Sequence, residues 1–289
     1  MNELPHGLSP ALLPDLSLTT FLIPVHVDSD ERLVNIRSKM AYLQGTLRTN
    51  VILIEHGHQS IASDFCETVS NAHFSIHYIF DEAPLSNQET DGIDIIFHRT
   101  KLYNQLFLLA TTPVVCLADA DSFVAGADYL EAQTKVLDGE ADAVSPYNIG
   151  TTKHEINFWG KEIFSETKNL DFLSENFSFT RGLDCAAGSE LFLKRKTWLR
   201  IGLENENIIN HATEKEERLV RLTKFGFDYQ WLKGKESYLY HLFHPPSPLP
   251  QTHLERNNKI LNHLGTLDEE NYKDYFKNQD YLEGYGLNI

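Results

Sequence analysis

The sequence has few of the residues that stabilise secreted proteins or anchor proteins in membranes. Only three of its 289 residues are cysteines, Cys66, Cys116 and Cys185, and each lies in a context typical of a buried thiol. We therefore expect neither a disulfide framework nor a paired-cysteine metal site. The longest apolar stretch, residues 106–118, is too short and too interrupted to be a transmembrane segment. The amino terminus lacks the basic segment of a secretory signal, so we expect a cytoplasmic protein that can still touch a membrane surface peripherally.

Basic residues are also scarce. Lys and Arg number 25 against 41 Asp and Glu, which gives a formal charge of −16 at pH 7. A protein of this charge repels nucleic-acid backbones, so we expect no nucleic-acid partner. An anionic ligand would need a metal ion or a few well-placed basic side chains to receive it. The remaining composition, with 42% hydrophobic and 23% charged residues, is that of an ordinary globular protein.

The order of predicted elements indicates an α/β fold. An apolar run at residues 18–27 predicts a first strand, and Asp28 with Glu31 predicts a capped helix after it. Strand and helix patterns then alternate up to a strand that ends in Asp119 and Asp121. We expect a central, mostly parallel sheet flanked by helices, followed by a less regular half and a C-terminal helical tail. Ligands of such a sheet bind at the carboxyl ends of its strands.

A proline-rich stretch near residue 245 separates the tail from the rest of the chain. We predict an amino-terminal extension (1–17), one domain (18–245) made of a nucleotide-sugar-binding half (18–125) and an acceptor half (126–245), and a helical tail (246–289). Four aromatic residues of the tail are expected to pack back onto the domain: Tyr272, Tyr275, Phe276 and Tyr281.

The acidic pair is the first indication of a function. Asp119 and Asp121 are one residue apart at the end of an apolar strand, so their side chains point to the same side. This arrangement suits one divalent cation that bridges to a diphosphate. An Asp-x-Asp pattern alone is also typical of a solvated strand end that begins a turn.

Six further residues are expected at the same edge of the predicted sheet. They end the first two strands or open the helix before the acidic strand: Pro24, His26, Asp28, Glu55, Arg99 and Lys101. Together with the acidic pair, this set resembles the GT-A glycosyltransferases, in which such positions hold a nucleotide-sugar. The stretch FHRTKLYNQLFLLATTPVVCLADAD is similar to that family's order of aromatic, Arg, helix with Asn, strand and Asp-x-Asp. The resemblance implies a GT-A, Rossmann-like fold.

The second half of the chain extends the resemblance to galactosyltransferase-type enzymes. AAGSELFLKRKTWLRIGLENENI is similar to their segment of small residues, strand, basic residue and helix. NHATEKEERLVRLTKFGFDY takes the place of their Trp-Gly-x-Glu-Asp-x-Glu motif, and YLYHLFH the place of their metal-binding histidine strand. The resemblance covers roughly residues 18–245.

The resemblance implies a role for each of these residues. Asp121 would bind Mn²⁺ directly, and His241 would be the second protein ligand, with His244 as its rival. A histidine among carboxylates favours Mn²⁺ over Mg²⁺, which remains the alternative metal. Asp119 would lie near the ribose or a metal-bound water, and Glu55 would accept a hydrogen bond from the nucleotide base.

The remaining implied roles concern the rest of the donor. Arg99 and Lys101 would face the diphosphate or support its loop. His26 and Asp28 would lie beside the nucleoside, close to Pro24 at the end of the first strand.

The sequence departs from the family at the catalytic motif. The family has an Asp after the Glu, and this Asp takes the proton of the acceptor hydroxyl. Here Lys215 follows Glu214, and the helical wheel predicts that this lysine faces inward. We assign the base or acceptor ligand to Glu214, with Glu216 second. The competing interpretation is structural, because Thr213 and Glu216 have the spacing of a capping box.

The resemblance implies a metal-dependent enzyme that moves a hexose from a UDP-sugar to a hydroxyl of a saccharide acceptor. Galactose or N-acetylgalactosamine is favoured, with inversion, in the assembly of capsule or another surface polysaccharide. The alternative is a catalytically silent glycosyltransferase-like protein that binds nucleotides or acts as a scaffold. A nucleotidyltransferase ranks third because the chain lacks a Gly-rich, basic phosphate loop after its first strand.

Overall fold

The computed structural model of the chain describes residues 13–84, 95–148, 153–183, 189–209, 213–234, 236–245 and 249–287. The strands within these ranges are β1 Asp15–Val25, β2 Arg48–Gly57, β3 Phe74–Glu82, β4 Val114–Ala118, β5 Ser122–Phe123, β6 Ala143–Ser145, β7 Lys153–Ile156, β8 Thr180–Leu183, β9 Glu190–Lys194, β10 Tyr229–Trp231 and β11 Tyr240–Leu242. The helices are α1 Asp30–Thr46, α2 Ser63–Val69, α3 Arg99–Leu109, α4 Gly126–Asp138, α5 Phe158–Thr167, α6 Leu170–Glu175, α7 Arg195–Arg200, α8 Glu214–Lys224, α9 Gln251–Thr266, α10 Glu269–Lys277 and α11 Asp280–Gly284.

The central sheet confirms the predicted fold class. Its strands within the described ranges run in the order β10-β6-β9-β4-β1-β2-β3, and all neighbours are parallel except β9, which is antiparallel to β4 and β6. Apolar side chains cover both faces of β1 and β4, as expected for a sheet buried on both sides. One core packs α1, α4 and α5 against the sheet, and the other packs α3, α7, α8 and α11 against the opposite face.

A second, smaller sheet brings distant parts of the chain together. Its order is β5-β11-β7-β8, with β11 antiparallel to β5 and parallel to β7. In this sheet His241 is the register partner of Ser122, the residue after Asp121. The histidine strand therefore lies directly beside the end of the acidic strand.

The helical tail packs back onto the domain as predicted. Tyr272 and Phe276 are buried, and the Tyr281 hydroxyl donates a hydrogen bond to the Gly202 carbonyl over 3.0 Å. The Tyr272 hydroxyl reaches Oε1 of Glu217 on α8 over 3.4 Å. The tail therefore packs against α8, the helix that carries Glu214, Lys215 and Glu216.

Two helix starts differ from the sequence prediction. Ser29, not Asp28, caps α1: its extended backbone lets the hydroxyl accept from the Arg32 N–H, while the Asp28 carboxylate pairs with Arg32 Nε over 2.8 Å. Thr213 precedes α8 but forms no side-chain cap, because its backbone, with φ −127° and ψ −5°, is not in the extended conformation of a capping residue. The predicted capping box of Thr213 and Glu216 is therefore wrong.

The cysteines agree with the prediction as far as the structure describes them. Cys66 and Cys116 are buried free thiols, and Cys185 lies outside the described residues. Among the helices of the described ranges, none combines the length and the apolar character that crossing a bilayer requires. The first strand begins at Asp15, three residues before its predicted start, and ends at Val25.

Candidate functional site

A cavity of about 350 Å³ opens at the carboxyl ends of β1 and β4. Seven of the residues predicted from the sequence line it: Pro24, His26, Arg99, Asp119, Asp121, His241 and His244. The wall also contains residues that the sequence did not indicate as ligand-binding, among them Arg32, Asn35, Phe97, Lys153 and Lys215. The structure therefore places most of the predicted site in one cavity, at the sheet edge where ligands of such folds bind.

Asp121, His241 and His244 form a compact group of metal-ligating side chains. Asp121 Oδ1 is 3.5 Å from His241 Nε2, and Oδ2 is 2.8 Å from His244 Nε2. One ligand atom from each residue lies within 4.8 Å of the others. The backbone reinforces this group, because the Leu242 N–H donates to the Asp121 carbonyl over 2.8 Å. Both histidines, which the sequence left as rivals, are thus at the site.

Both histidines turn Nε2 toward the Asp121 carboxylate. His244 Nδ1 lies 2.8 Å from the Pro245 carbonyl oxygen, which can only accept, so Nδ1 carries a proton and this contact orients the ring. His241 Nδ1 is buried with no hydrogen-bond partner among the described residues. Burial lowers the pKa of His241 to about 4, despite the nearby Asp121 carboxylate, so this ring is neutral at physiological pH.

The charge of Asp121 is stabilised by its neighbours. Burial alone would raise the pKa of this carboxyl, but His241 and the hydrogen bond from His244 hold it well below its usual range. Asp121 is therefore ionised next to two imidazoles. A carboxylate with two imidazoles is a set of side chains that binds divalent metals of intermediate softness.

Four basic side chains line the same cavity in a protein whose net charge is −16: Arg32, Arg99, Lys153 and Lys215. Arg32 Nη2 also donates to the Pro245 carbonyl over 3.4 Å, next to the histidine strand. The described wall therefore carries four cations against two carboxylates, Asp119 and Asp121, in a protein with an excess of acidic residues, and this local excess of positive charge favours an anionic ligand.

Asp119 is held between two of these cations. Arg99 donates a hydrogen bond to Asp119 Oδ1, and Lys215 Nζ donates to Oδ2 over 2.7 Å. Lys215 also contacts the Ser189 hydroxyl over 3.3 Å. Burial and the nearby Arg99 lower the pKa of Lys215 to about 8, so the lysine is mostly protonated at neutral pH. The prediction that Lys215 faces inward is confirmed.

Glu214 and Glu216, the predicted catalytic carboxylates, do not line the cavity. Glu214 is 2% exposed, and its Oε1 lies 3.4 Å from Arg99 Nη1. This carboxylate therefore pairs with an arginine of the cavity wall without lining the cavity itself. Glu216 is exposed on α8. Among the described residues, the carboxylates that line the cavity are Asp119 and Asp121.

The structure does not bring Glu55 into the cavity. It is 1% exposed, and its carboxylate accepts hydrogen bonds from the backbone N–H groups of Ile61 (3.1 Å) and Ala62 (2.9 Å) and from the Tyr78 hydroxyl (2.5 Å). A buried carboxylate with three donors is already satisfied. Its position therefore gives no support to the prediction that it receives the nucleotide base.

The other predicted donor-binding residues differ in position. Lys101 is exposed on α3 and lies outside the cavity wall. Asp28 is not part of the described cavity wall, but it pairs with Arg32, which is. His26 lines the cavity, and its Nδ1 is 2.8 Å from the His56 carbonyl, which fixes the ring. The ring of Phe97 stacks on His26 with 6.1 Å between centroids.

Some cavity residues had weak signals in the sequence. Arg32 stands in the first turn of α1, where the helix dipole disfavours a cation, so its presence there was informative. Asn35 is a polar residue next to the apolar stripe of the same helix. Lys153 belongs to the irregular half of the chain, and no pattern distinguished it from an ordinary surface lysine.

Comparison with known proteins shows the fold. By sequence, the chain matches no protein-family model and no curated protein. By structure, it is similar to residues 1–349 of S. aureus TarS in complex with UDP-GlcNAc, with 11% identity and a TM-score of 0.52 over 93% of this chain and 73% of that one. It is also similar to the mannosyltransferase PcManGT from Pyrobaculum calidifontis in complex with GDP-Man and Mn²⁺, with 14% identity and a TM-score of 0.50 over 86% of this chain.

The chain spans 63% of the length of the Pyrobaculum mannosyltransferase. At such low sequence identity the likeness concerns the fold, and the fold is that of the GT-A glycosyltransferases.

Proposed function

We propose that the chain is a metal-dependent glycosyltransferase whose donor, a nucleotide-sugar, binds in the cavity at the ends of β1 and β4. The observation that carries this proposal is the pairing of two features in one cavity. The metal-ligating group of Asp121, His241 and His244 lies beside basic side chains, in a protein that is otherwise strongly acidic. A diphosphate with a divalent cation is the ligand that uses both features.

The three side chains fit a divalent metal such as Mn²⁺. Their ligand atoms lie within 4.8 Å of one another, and both imidazoles present Nε2 to the Asp121 carboxylate, at 3.5 Å for His241 and 2.8 Å for His244. Two imidazoles suit Mn²⁺ better than Mg²⁺, which prefers oxygen ligands and retains its water. When bound, the metal would offset the negative charge that builds on the leaving diphosphate.

The basic side chains would bind the phosphates of the donor. Lys215 Nζ is anchored by Asp119 yet remains part of the cavity wall, so it can contact a phosphate oxygen without moving far. Lys153 and Arg32 line the wall on the side of the histidines. His26 and Phe97 would lie beside the nucleoside, where their stacked rings form an apolar surface.

We further propose a UDP-hexose as the donor and a saccharide hydroxyl as the acceptor, in surface polysaccharide assembly. TarS was solved with UDP-GlcNAc and PcManGT with GDP-Man, so both uridine and guanosine donors belong in the test. The proposed inverting course depends on Glu214 as the base. Glu214 would first have to separate from Arg99, because the two side chains lie 3.4 Å apart in the structure.

The test is thermal unfolding with a panel of nucleoside diphosphates and their sugars, with and without Mn²⁺. Ligand at about 100 times its dissociation constant should stabilise the fold by roughly 2.7 kcal/mol. We expect a Mn²⁺-dependent shift with one nucleotide, lost in Asp121→Ala and kept in the control Asp138→Ala, which changes an exposed residue at the end of α4. No shift with any member of the panel would remove the proposal.

A second candidate function is a silent protein that binds nucleotides without turnover. The contact of Lys215 with Asp119 favours it, since a cation occupies the side of the cavity where related enzymes carry their base. Release of nucleoside diphosphate from any donor and acceptor by the native chain would end this candidate. It would gain if the native chain had no turnover and Lys215→Asp acquired it.

A further inference from the structure

Asn35 of α1 holds the segment that carries the two histidines. Its Nδ2 donates to the carbonyl oxygen of Leu242 over 3.2 Å and to that of Phe243 over 3.4 Å. These carbonyls lie between His241 and His244 in the sequence. The amide thus fixes the backbone that sets the spacing of both imidazoles.

Lys39 of the same helix holds the segment that carries the aspartate. Its Nζ donates to the carbonyl of Ser122, the residue after Asp121, over 2.6 Å. The same ammonium pairs with Glu190 Oε1 over 2.6 Å and donates to the Tyr129 hydroxyl over 3.0 Å. All three donors of Lys39 are therefore in use, and one of them fixes the backbone beside Asp121.

A third side chain on this face of α1 continues the pattern. Tyr42 donates its hydroxyl to the Val124 carbonyl over 2.8 Å, farther along the aspartate segment. Asn35, Lys39 and Tyr42 are spaced by four and three residues, so they lie on one face of the helix. We name these three residues the α1 brace.

The α1 brace is buried away from water. Asn35, Lys39 and Tyr42 are 1%, 0% and 3% exposed, and the ion pair of Lys39 with Glu190 is entirely inside the protein. A buried ion pair contributes little net stability compared with apolar side chains of similar volume. The stability of the fold therefore does not explain why a lysine stands at position 39. The hydrogen bond from Lys39 to the Ser122 carbonyl does, because it fixes the backbone next to Asp121.

We propose that the α1 brace sets the distance between Asp121 and the two histidines, and so determines the affinity of this site for a divalent metal. Asn35 and Lys39 are then positioning residues, which act through the backbone next to the ligands. The effect on metal affinity rests on the proposed function, whereas the effect on the backbone does not. Loss of the partner that orients a metal ligand typically weakens binding by about 10–100-fold.

The test compares two buried asparagines. Asn35→Ala removes the contact with the histidine segment, and the control Asn257→Ala removes a buried side chain whose Nδ2 and Oδ1 bond the Ile209 carbonyl (2.9 Å) and N–H (3.1 Å), outside the cavity wall. The dissociation constant for Mn²⁺ is measured by calorimetry, and bound Co²⁺ is followed by its visible spectrum. We expect Mn²⁺ binding about tenfold weaker and an altered Co²⁺ spectrum in Asn35→Ala, with both unchanged in Asn257→Ala.

Hydrogen exchange gives a measurement that needs no metal. The amide of Leu242 donates to the Asp121 carbonyl and joins the two ligand segments. We expect this amide to exchange faster in Asn35→Ala and in Lys39→Met than in the native chain, and to be unaffected in Asn257→Ala. If Lys39→Met does not fold, Asn35→Ala alone decides the outcome.

The two proposals fail in different ways. If the native chain binds no Mn²⁺, the proposed function loses its metal, and the exchange rate of the Leu242 amide still decides whether the α1 brace holds the segments together. If Asn35→Ala leaves that rate unchanged, or if both asparagine variants weaken Mn²⁺ equally, the α1 brace is refuted.

Discussion

The two sides of the cavity differ in how well they match the enzymes that the fold resembles. On the side of the second sheet, Asp121, His241 and His244 form a metal-ligating group held by backbone hydrogen bonds. On the side of α8, Lys215 stands where the resemblance led us to expect an Asp, and this lysine contacts Asp119. If the cavity binds a nucleotide-sugar as we propose, the comparison teaches that the donor and the acceptor are served by separate parts of this fold. The geometry of the cavity supports the proposal for the donor, whereas α8 carries the departure from the motif of the resembling enzymes.

The α8 side also has a strong structural role. Arg218 forms a bidentate pair with Glu204, with distances of 2.7 and 2.8 Å, and both side chains are buried. The neighbouring Arg221 reaches Oε2 of Glu217 over 3.2 Å. The Arg218–Glu204 pair ties α8 to the segment after α7, so part of the motif's sequence serves the fold.

The largest expected effect tests this structural role. Arg218→Ala leaves the Glu204 carboxylate buried without its partner, so we expect the free energy of unfolding to fall by about 3–5 kcal/mol. Urea denaturation measures this loss. The control Arg181→Ala removes an exposed partner of Glu155, a pair expected to contribute about 0–1 kcal/mol. Equal losses in the two variants would show that α8 is not anchored by this pair.

The next effect tests the metal side. Asp121→Ala removes the one carboxylate of the metal-ligating group, so we expect the affinity for Mn²⁺ to fall by more than the ~10–100-fold that loss of an outer partner costs. Calorimetry with Mn²⁺ and UDP measures it. If this variant binds Mn²⁺ as tightly as the native chain, the metal binds elsewhere. The two sides of the cavity would then not differ in metal binding.

The third effect tests whether the α8 side still binds the donor. Lys215→Met removes a cation from the cavity wall, and we expect the affinity for UDP with Mn²⁺ to fall about tenfold, as for a hydrogen bond to a charged group. The control Lys101→Met changes a lysine that lies outside the wall and should leave the affinity unchanged. If both variants bind UDP with equal affinity, Lys215 does not contribute to binding of the donor.

The pH dependence of the same binding sharpens this test. Burial lowers the pKa of Lys215 to about 8 from an ordinary value of 10.5, so the lysine loses its charge as the pH rises through this value. The affinity of the native chain for UDP should therefore decrease between about pH 7 and pH 9, and this decrease should be smaller in Lys215→Met. The two profiles are compared by calorimetry.

The smallest effect concerns Glu216. This side chain is exposed on α8, so Glu216→Gln should change neither the stability nor the affinity for UDP by more than about 0.5 kcal/mol. Thermal unfolding with and without UDP checks both. A large loss of turnover in this variant, with unchanged binding of UDP, would show that Glu216 takes part in catalysis.

The first half of the fold was predictable because its signals are local. Apolar runs placed β1 and the end of β4 within three residues of their observed bounds, and Arg99, predicted to open the helix before the acidic strand, is the first residue of α3. The grouping of Asp121 with His241 and His244 was also expected, but from the resemblance of their segments to the motifs of the GT-A glycosyltransferases. The choice between His241 and His244 could not be made, because it depends on the antiparallel pairing of β11 with β5.

The remaining site residues depend on tertiary contacts that the sequence does not display. Glu55 was predicted to end its strand, but β2 continues to Gly57, and the N–H groups of Ile61 and Ala62 turn back to bind the Glu55 carboxylate. Glu214 follows the motif, yet Arg99 from a distant helix lies against it. Lys153 reaches the cavity only because β7 pairs with β11. In each case a partner outside the residue's own helix or strand determines where the side chain lies.

The central claim is that Asp121, His241 and His244 bind a metal together with the diphosphate of a nucleotide. Pulsed electron paramagnetic resonance of Mn²⁺ in the presence of UDP tests it directly, because imidazole nitrogen and phosphate phosphorus couple to the same ion. We predict both couplings in the native chain and a weaker nitrogen signal in His244→Ala. A phosphorus coupling without any nitrogen coupling would show that the metal is held by the nucleotide alone, which would contradict the account.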